Sequence, residues 1–156
     1  MKKGFTIIEV ALVIALAGLI FLAVFVALPT LQASSRDTVR KDDMTKVVSA
    51  IAKYSANHRG TLASNFKDDE NKINDFIAEY LGSNFTDPSG EPYKFAIVDF
   101  SADGEPPFLI EFDHTIHIYY HSKCANETIT YTTDKRDYSI LYRLEGSGTY
   151  CINVDN

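Results

Sequence analysis

From Phe5 to Leu28 the chain is apolar apart from Thr6, Glu9 and Gly18. At a rise of ~1.5 Å per residue, a helix over this run spans roughly 36 Å, more than the ~30 Å hydrocarbon core of a bilayer. A water-soluble domain of 156 residues has no use for such a segment, so residence in a membrane is the first expectation. Lys2 and Lys3 precede the run, and a basic flank keeps that end in the cytoplasm. A cleaved secretory signal has a shorter apolar core followed by small residues, and the only such stretch here, Ala33-Ser34-Ser35, lies beyond Pro29. An uncleaved anchor is the other plain reading.

Glu9 separates these readings from a third. A carboxylate inside the run costs on the order of 3 kcal/mol near the bilayer centre, and an intramembrane charge requires a partner. A cut after Gly4 would create an ammonium group on Phe5, close to Glu9 along the helix, in the same chain or in a neighbour.

Fifteen basic and twenty-one acidic residues leave a net charge of −6. Removing Lys2 and Lys3 would deepen that deficit. Phosphate neutralisation needs clustered Lys and Arg, so nucleic acid is not expected as a main partner. Cys124 and Cys151 are the two cysteines, and behind an export signal a small even count reads as one disulfide. Two unrelated buried thiols are the alternative.

Lys3-Gly4-Phe5-Thr6-Ile7-Ile8-Glu9, followed by about twenty apolar residues, closely resembles the class III signal of type IV pilins and of type II secretion pseudopilins. The resemblance covers residues 1 to 28. It implies that residues 1–4 are a leader removed by a prepilin peptidase between Gly4 and Phe5, that Phe5 is then N-methylated, and that Glu9 pairs with the N-terminal amine of an adjacent subunit. It further implies a homopolymeric helical filament, an inner-membrane assembly platform with its cytoplasmic ATPase, a single-pass membrane stage before assembly, and a cell-surface pilus afterwards. Adhesion, twitching motility or DNA uptake would be its work; a pseudopilin of a secretion or competence system is the alternative. Many relatives bend their helix at a Pro three residues earlier than Pro29. Gly18 occupies the position at which such helices often lose helicity in filaments, so Gly18 to Pro29 is expected to unwind partly there. Gly and Pro disfavour helix interiors by about 1 and 3 kcal/mol.

Residues 5–28 are thus expected as the filament-core helix and 29–156 as the globular domain. Within the latter, residues 29–59 continue the spine as an amphipathic helix, with Val39, Met44, Val47, Val48, Ile51 and Tyr54 on the core face and Asp37, Arg40, Lys41, Asp43 and Lys46 largely elsewhere; Gly60 closes it. Ile73, Phe76, Ile77, Tyr80 and Leu81 predict a second helix over 71–81, ended by Gly82. Asp68, Asp69 and Glu70 suit its N-terminal dipole. From 93 to 154 the period shortens. The runs 93–100, 108–112, 115–121, 128–133, 139–144 and 150–154 predict strands of an antiparallel sheet lying on the spine. The expected fold is therefore α+β, a long kinked N-terminal helix packed on a C-terminal antiparallel sheet, pilin-like.

Asp87-Pro88-Ser89-Gly90-Glu91-Pro92-Tyr93 is a turn in which Pro presets φ and Gly completes the reversal. It resembles the turn that opens the sheet in pseudopilins and several short pilins, and Leu144-Glu145-x-x-Gly148-x-Tyr150-Cys151 resembles the ending of small pilins. Pseudopilins often hold Ca²⁺ in C-terminal loops; Asp99, Asp103 and Glu105 supply suitable oxygens, though acidic turns are ordinary surface features. No other cofactor is implied. His114, His117 and His121 would share a strand, with His117 and His121 on one face and His114 on the other, a pattern equally ordinary for a solvated sheet face. There is no phosphate loop, nucleophile elbow or zinc-protease motif, and no catalytic activity is expected. Asn84-Phe85-Thr86 and Asn126-Glu127-Thr128 match the glycosylation sequon, with plain loop residues as the simpler account.

Overall fold

A computed structural model describes residues 4–58, 66, 70–100, 114–134, 136–146 and 148–154. Its dominant element is α1 (Ile7–Asn57), 51 residues long and so ~77 Å from end to end. Thr6 starts it through a capping box with Glu9. The helix ends at His58, whose N–H donates to the Tyr54 and Ser55 carbonyls; Gly60, the expected cap, lies outside the described residues. Neither Gly18 nor Pro29 breaks α1 in the single chain. The expected unwinding concerns the filament.

Two halves of α1 live in different surroundings. From Phe5 to Leu31 nearly every side chain is exposed. Beyond that, Asp37, Arg40, Asp43, Met44, Val47, Ala50, Ile51 and Ser55 form a buried stripe. This corrects the expected face: Asp37, Arg40 and Asp43 are inside, and Val39 is 43% exposed. The reason is helical geometry. The steps from Arg40 to Met44, Val47 and Ile51 are four, three and four residues, which places the arginine on the apolar line.

The second helix is divided. α2 (Glu70–Phe76) is regular, but residues Ile77–Leu81 are a π-helical turn closed by the Gly82 N–H on the Ile77 carbonyl, 2.8 Å away, with Gly82 at φ 89°. Reaching five residues back widens the last turn, which the spacing of apolar residues does not reveal. Tyr54 of α1 meets Phe66, Phe76 and Tyr80 with ring centroids 4.8–5.7 Å apart, so this segment is held by aromatic packing. Of the acidic residues expected at its start, Asp68 and Asp69 lie outside the described residues.

The sheet has strand order β1-β2-β5-β6, from β1 (Lys94–Asp99), β2 (Thr115–Tyr120), β5 (Tyr138–Arg143) and β6 (Thr149–Val154); β3 (Ser122–Ala125) and β4 (Thr128–Tyr131) form a separate hairpin. Ile97, Ile118, Ile140 and Ile152 are paired in one row across all four strands. That row faces α1, in a core with Met44, Val47 and Ile51. Fully burying an aliphatic side chain, as at Ile118 and Ile140, stabilises the fold by about 1.5–3 kcal/mol, and the half-buried Ile97 and Ile152 contribute less. The opposite face carries Phe100, Tyr119 and Leu141, covered by Ile129 of the hairpin and flanked by Cys151.

Two expectations are corrected here. β1 and β2 run parallel, so the sheet is mixed rather than wholly antiparallel. The chain between them, from 100 to 114, exceeds the roughly dozen residues a parallel crossover needs; the strand expected over 108–112 lies outside the described residues. The hairpin strand β3 was not expected, because Ser122-Lys123-Cys124-Ala125 contains no β-branched or aromatic residue.

Candidate functional site

The exposed half of α1 is the first candidate. Phe5, Ile7, Ile8, Leu12, Leu16, Phe21 and Phe25 all stand open, Phe5 at 87% exposure. Soluble proteins rarely show apolar patches beyond a few hundred Å², so this surface belongs against lipid or protein. α1 is long and apolar enough to cross a membrane, which makes it compatible with a membrane anchor. Glu9 sits at its head: the Thr6 N–H donates to Glu9 Oε2 at 3.2 Å, the Thr6 hydroxyl donates to the same oxygen at 3.1 Å, and the Glu9 N–H donates to Thr6 Oγ1 at 3.3 Å. Gly4 and Phe5 are exposed ahead of the helix, and a Cβ at Gly18 would meet nothing within 4 Å.

The second candidate lies where α1 enters the globular domain. Arg40, 5% exposed, donates from Nε and Nη2 to the two Asp87 oxygens at 2.7 and 3.0 Å, and from Nη1 to Asp37 at 2.9 Å and Glu145 at 3.0 Å. Arg36 Nε donates to Glu145 at 2.8 Å. Asp37 accepts the backbone N–H groups of Glu145 and Gly146, both at 2.8 Å. Asp87, 2% exposed, also accepts from the Ser89 N–H at 2.8 Å and the Tyr142 hydroxyl at 3.1 Å. One arginine thus joins the helix, the 87–93 turn and the β5–β6 loop. The turn takes this form because Gly90, at φ 98°, lets its N–H return to the Asp87 carbonyl at 2.8 Å.

Hydrogen bonding sets the charges of this cluster. The bond to Asp87 raises the Arg40 guanidinium above its ordinary value despite burial. Burial would raise the Asp87 carboxyl, but Arg40 and Ser89 together outweigh it and hold it well below the usual carboxylate range. Arg36 first, then Arg40, bring Glu145 down to about 2. Each ion is fully partnered, so the cluster is a clamp. The open cleft beside it is lined by Ser89, Glu91, His114 and Arg143 as well as Arg36 and Glu145. Tyr93 adds a further tie through its hydroxyl on Asp43 at 3.1 Å.

The remaining candidates separate. Cys124 and Cys151 are bonded, with Cα atoms 5.7 Å apart, fastening the hairpin to β6. His114 lies 3.5 Å from Asp87 and His121 lies 2.9 Å from Asp99, at opposite ends of β2, so they stand ~20 Å apart along a six-residue strand. His117 stacks near Tyr119 on the face away from α1, and its buried Nε2 has no hydrogen-bond partner among the described residues. Burial pushes it down to about 4. Among the described residues no three His, Cys, Asp or Glu side chains gather to hold a metal ion. Asp103 and Glu105 lie outside the described residues. Asn84 and Asn126 are exposed.

Sequence reasoning missed Asp37, Arg40 and Glu145 as a set, and noticed Asp87 only as a turn residue. The available signal was an arginine in line with Met44, Val47 and Ile51. Comparisons with protein-family models, with curated proteins and with solved structures find no match.

Proposed function

We propose that this chain is a structural subunit of a type IV pilus-like filament. The chain is cut by a prepilin peptidase between Gly4 and Phe5, methylated on Phe5, held in the membrane by α1, and then drawn by an assembly platform and its ATPase into a homopolymer at the cell surface. The observation that carries this reading is the exposed apolar half of α1, interrupted by one carboxylate at its head. Lipid accommodates such a surface at the membrane stage, and neighbouring helices would accommodate it in a filament, with Ala11, Ala15, Ala17 and Gly18 permitting close approach. Glu9 would supply register, because a misplaced subunit leaves a buried charge without its counter-ion. The globular domain, with its acidic balance, would form the outer surface.

A second reading has its own support. The Asp87-Pro88-x-Gly90-x-Pro92-Tyr93 turn resembles that of pseudopilins as well as of several short pilins, so it is also consistent with a short filament in a secretion or competence machine. The N-terminal signal serves both.

Glu9→Ala tests the assembly step. Cleavage at Gly4 is expected to proceed normally while filament yield falls at least tenfold. Normal filaments from the variant would overturn the role given to Glu9.

A further inference from the structure

Two sequons lie in the described residues, and their surroundings differ. In Asn84-Phe85-Thr86 the middle residue is anchored: Phe85 packs on Tyr93 and Phe95, with ring centroids 4.9 and 6.5 Å apart, and Thr86 is bridged to Pro92. Drawing that tripeptide into an enzyme's groove would pull an aromatic ring from the core. In Asn126-Glu127-Thr128 all three residues are exposed. Asn126 and Glu127 form the two-residue turn between β3 and β4, set by the pairing of Ala125 with Thr128. The Thr149 hydroxyl bonds the Glu127 carbonyl and fixes the turn from beneath, and among the described residues neither the Asn126 amide nor the Thr128 hydroxyl has a hydrogen-bond partner.

The location matters as much as the exposure. The hairpin covers the sheet face opposite α1, through Ile129 against Phe100, Tyr119 and Leu141. Whatever α1 buries itself in, lipid or other helices, the hairpin tip points to the far side and remains accessible after folding.

We propose that Asn126 is an N-glycosylation site and Asn84 is not. The donor is a lipid-linked oligosaccharide diphosphate. The Asn126 Nδ2 attacks the anomeric carbon, a C–N bond forms as the C–O bond to the diphosphate breaks, the lipid diphosphate leaves with the bonding pair, and Nδ2 loses one proton to the transferase base. The Thr128 hydroxyl is the second recognition element of the acceptor. The inference rests on export of the globular domain, which the proposed function shares, but not on polymerisation.

The turn itself explains an asparagine at this position, since Asn126 sits at φ 59° where Asn and Gly are tolerated. The test must therefore separate acceptor from turn. Full-length chain recovered from the envelope of the cells that make it is reduced, digested with trypsin, and the peptide spanning 124–135 is fragmented by mass spectrometry. A glycan mass on Asn126 at high occupancy is expected, with the peptide carrying Asn84 unmodified. Asn126→Gly keeps the positive φ and is expected to fold normally and lose the glycan. Thr128→Ser is expected to retain the glycan and Thr128→Val to lose it. An unmodified 124–135 peptide from wild-type chain, or a glycan that survives Thr128→Val, overturns the proposal. The intact mass reports separately whether residues 1–4 have been removed, so failure of the processing reading is distinguishable from failure of this one.

Discussion

Replacing Arg40 by Met keeps an unbranched apolar stem while deleting the charged guanidinium. In the wild type the guanidinium meets Asp87 with two hydrogen bonds and Asp37 and Glu145 with one each. Without it, Asp87 stays buried with the Ser89 N–H and the Tyr142 hydroxyl as neutral donors and the His114 ring 3.5 Å away. Breaking one side of a buried ion pair costs about 3–5 kcal/mol, because the remaining charge is left uncompensated. Asp37 retains its two backbone donors and Glu145 retains Arg36, so neither should add much. The expected loss for Arg40→Met is therefore ~4 kcal/mol. Asp87→Asn removes the stranded charge, so the double variant should recover part of it, with a coupling of about 2 kcal/mol. Urea unfolding of the full chain in detergent, followed by near-ultraviolet circular dichroism of its nine tyrosines, measures both quantities. A loss below about 1 kcal/mol for Arg40→Met, typical of an exposed pair, would refute the claim that the clamp joins helix to sheet.

Four other outcomes follow. His117 is held neutral by burial and lies at about 4 in the fold, against ~6.5 in the unfolded chain. Between these values the unfolded chain binds the proton that the folded chain refuses, so stability falls as pH drops from ~6.5 to ~4, by about 2 kcal/mol after allowing for partial exposure. His117→Leu should flatten that limb, and an unchanged acid profile would contradict the assignment. Asp87, Asp37 and Glu145, all lowered, contribute stability present above the unfolded carboxylate value of ~4 and lost below it, so acid unfolding steepens at still lower pH. Removing the disulfide as Cys124→Ser with Cys151→Ser, which opens a loop of sequence separation 27, should cost about 3–4 kcal/mol while leaving the sheet intact in far-ultraviolet dichroism. In a filament map, the stretch from Gly18 to Pro29 should show lost helical hydrogen bonds; continuous helix there would count against the weak-segment argument.

Much of the architecture is legible because local periodicity and burial agree. The apolar run and the amphipathic stripe after it together mark α1, and the short β-branched and aromatic runs mark β1, β2, β5 and β6, each within one or two residues of its bounds. Legibility ends where distant segments meet. Arg40 and Asp87 are 47 positions apart and Arg40 and Glu145 are 105, and charged residues on a helix read as solvated until a partner loop is seen to descend on them. The parallel pairing of β1 with β2 is hidden for the same reason, since strand direction depends on the connection and not on the strand. The histidines illustrate the converse. Neighbours in sequence, they separate because His114 and His121, at φ 51° and 53°, mark the bends at either end of β2. At the N-terminus, the structure adds a capping box between Thr6 and Glu9 that the apolar pattern did not point to, while the assembly role proposed for Glu9 would depend on a neighbour that a single chain does not contain.

Processing followed by polymerisation is the central claim, and it concerns one junction. Surface filaments sheared from the cells that make this chain, purified and measured by intact-protein mass spectrometry after removal of any glycan, test it most directly. The account predicts this chain as a filament component, beginning at N-methylated Phe5 and oxidised at Cys124 and Cys151. A chain still carrying Met1 to Gly4 within the envelope, and absent from every filament, would contradict it.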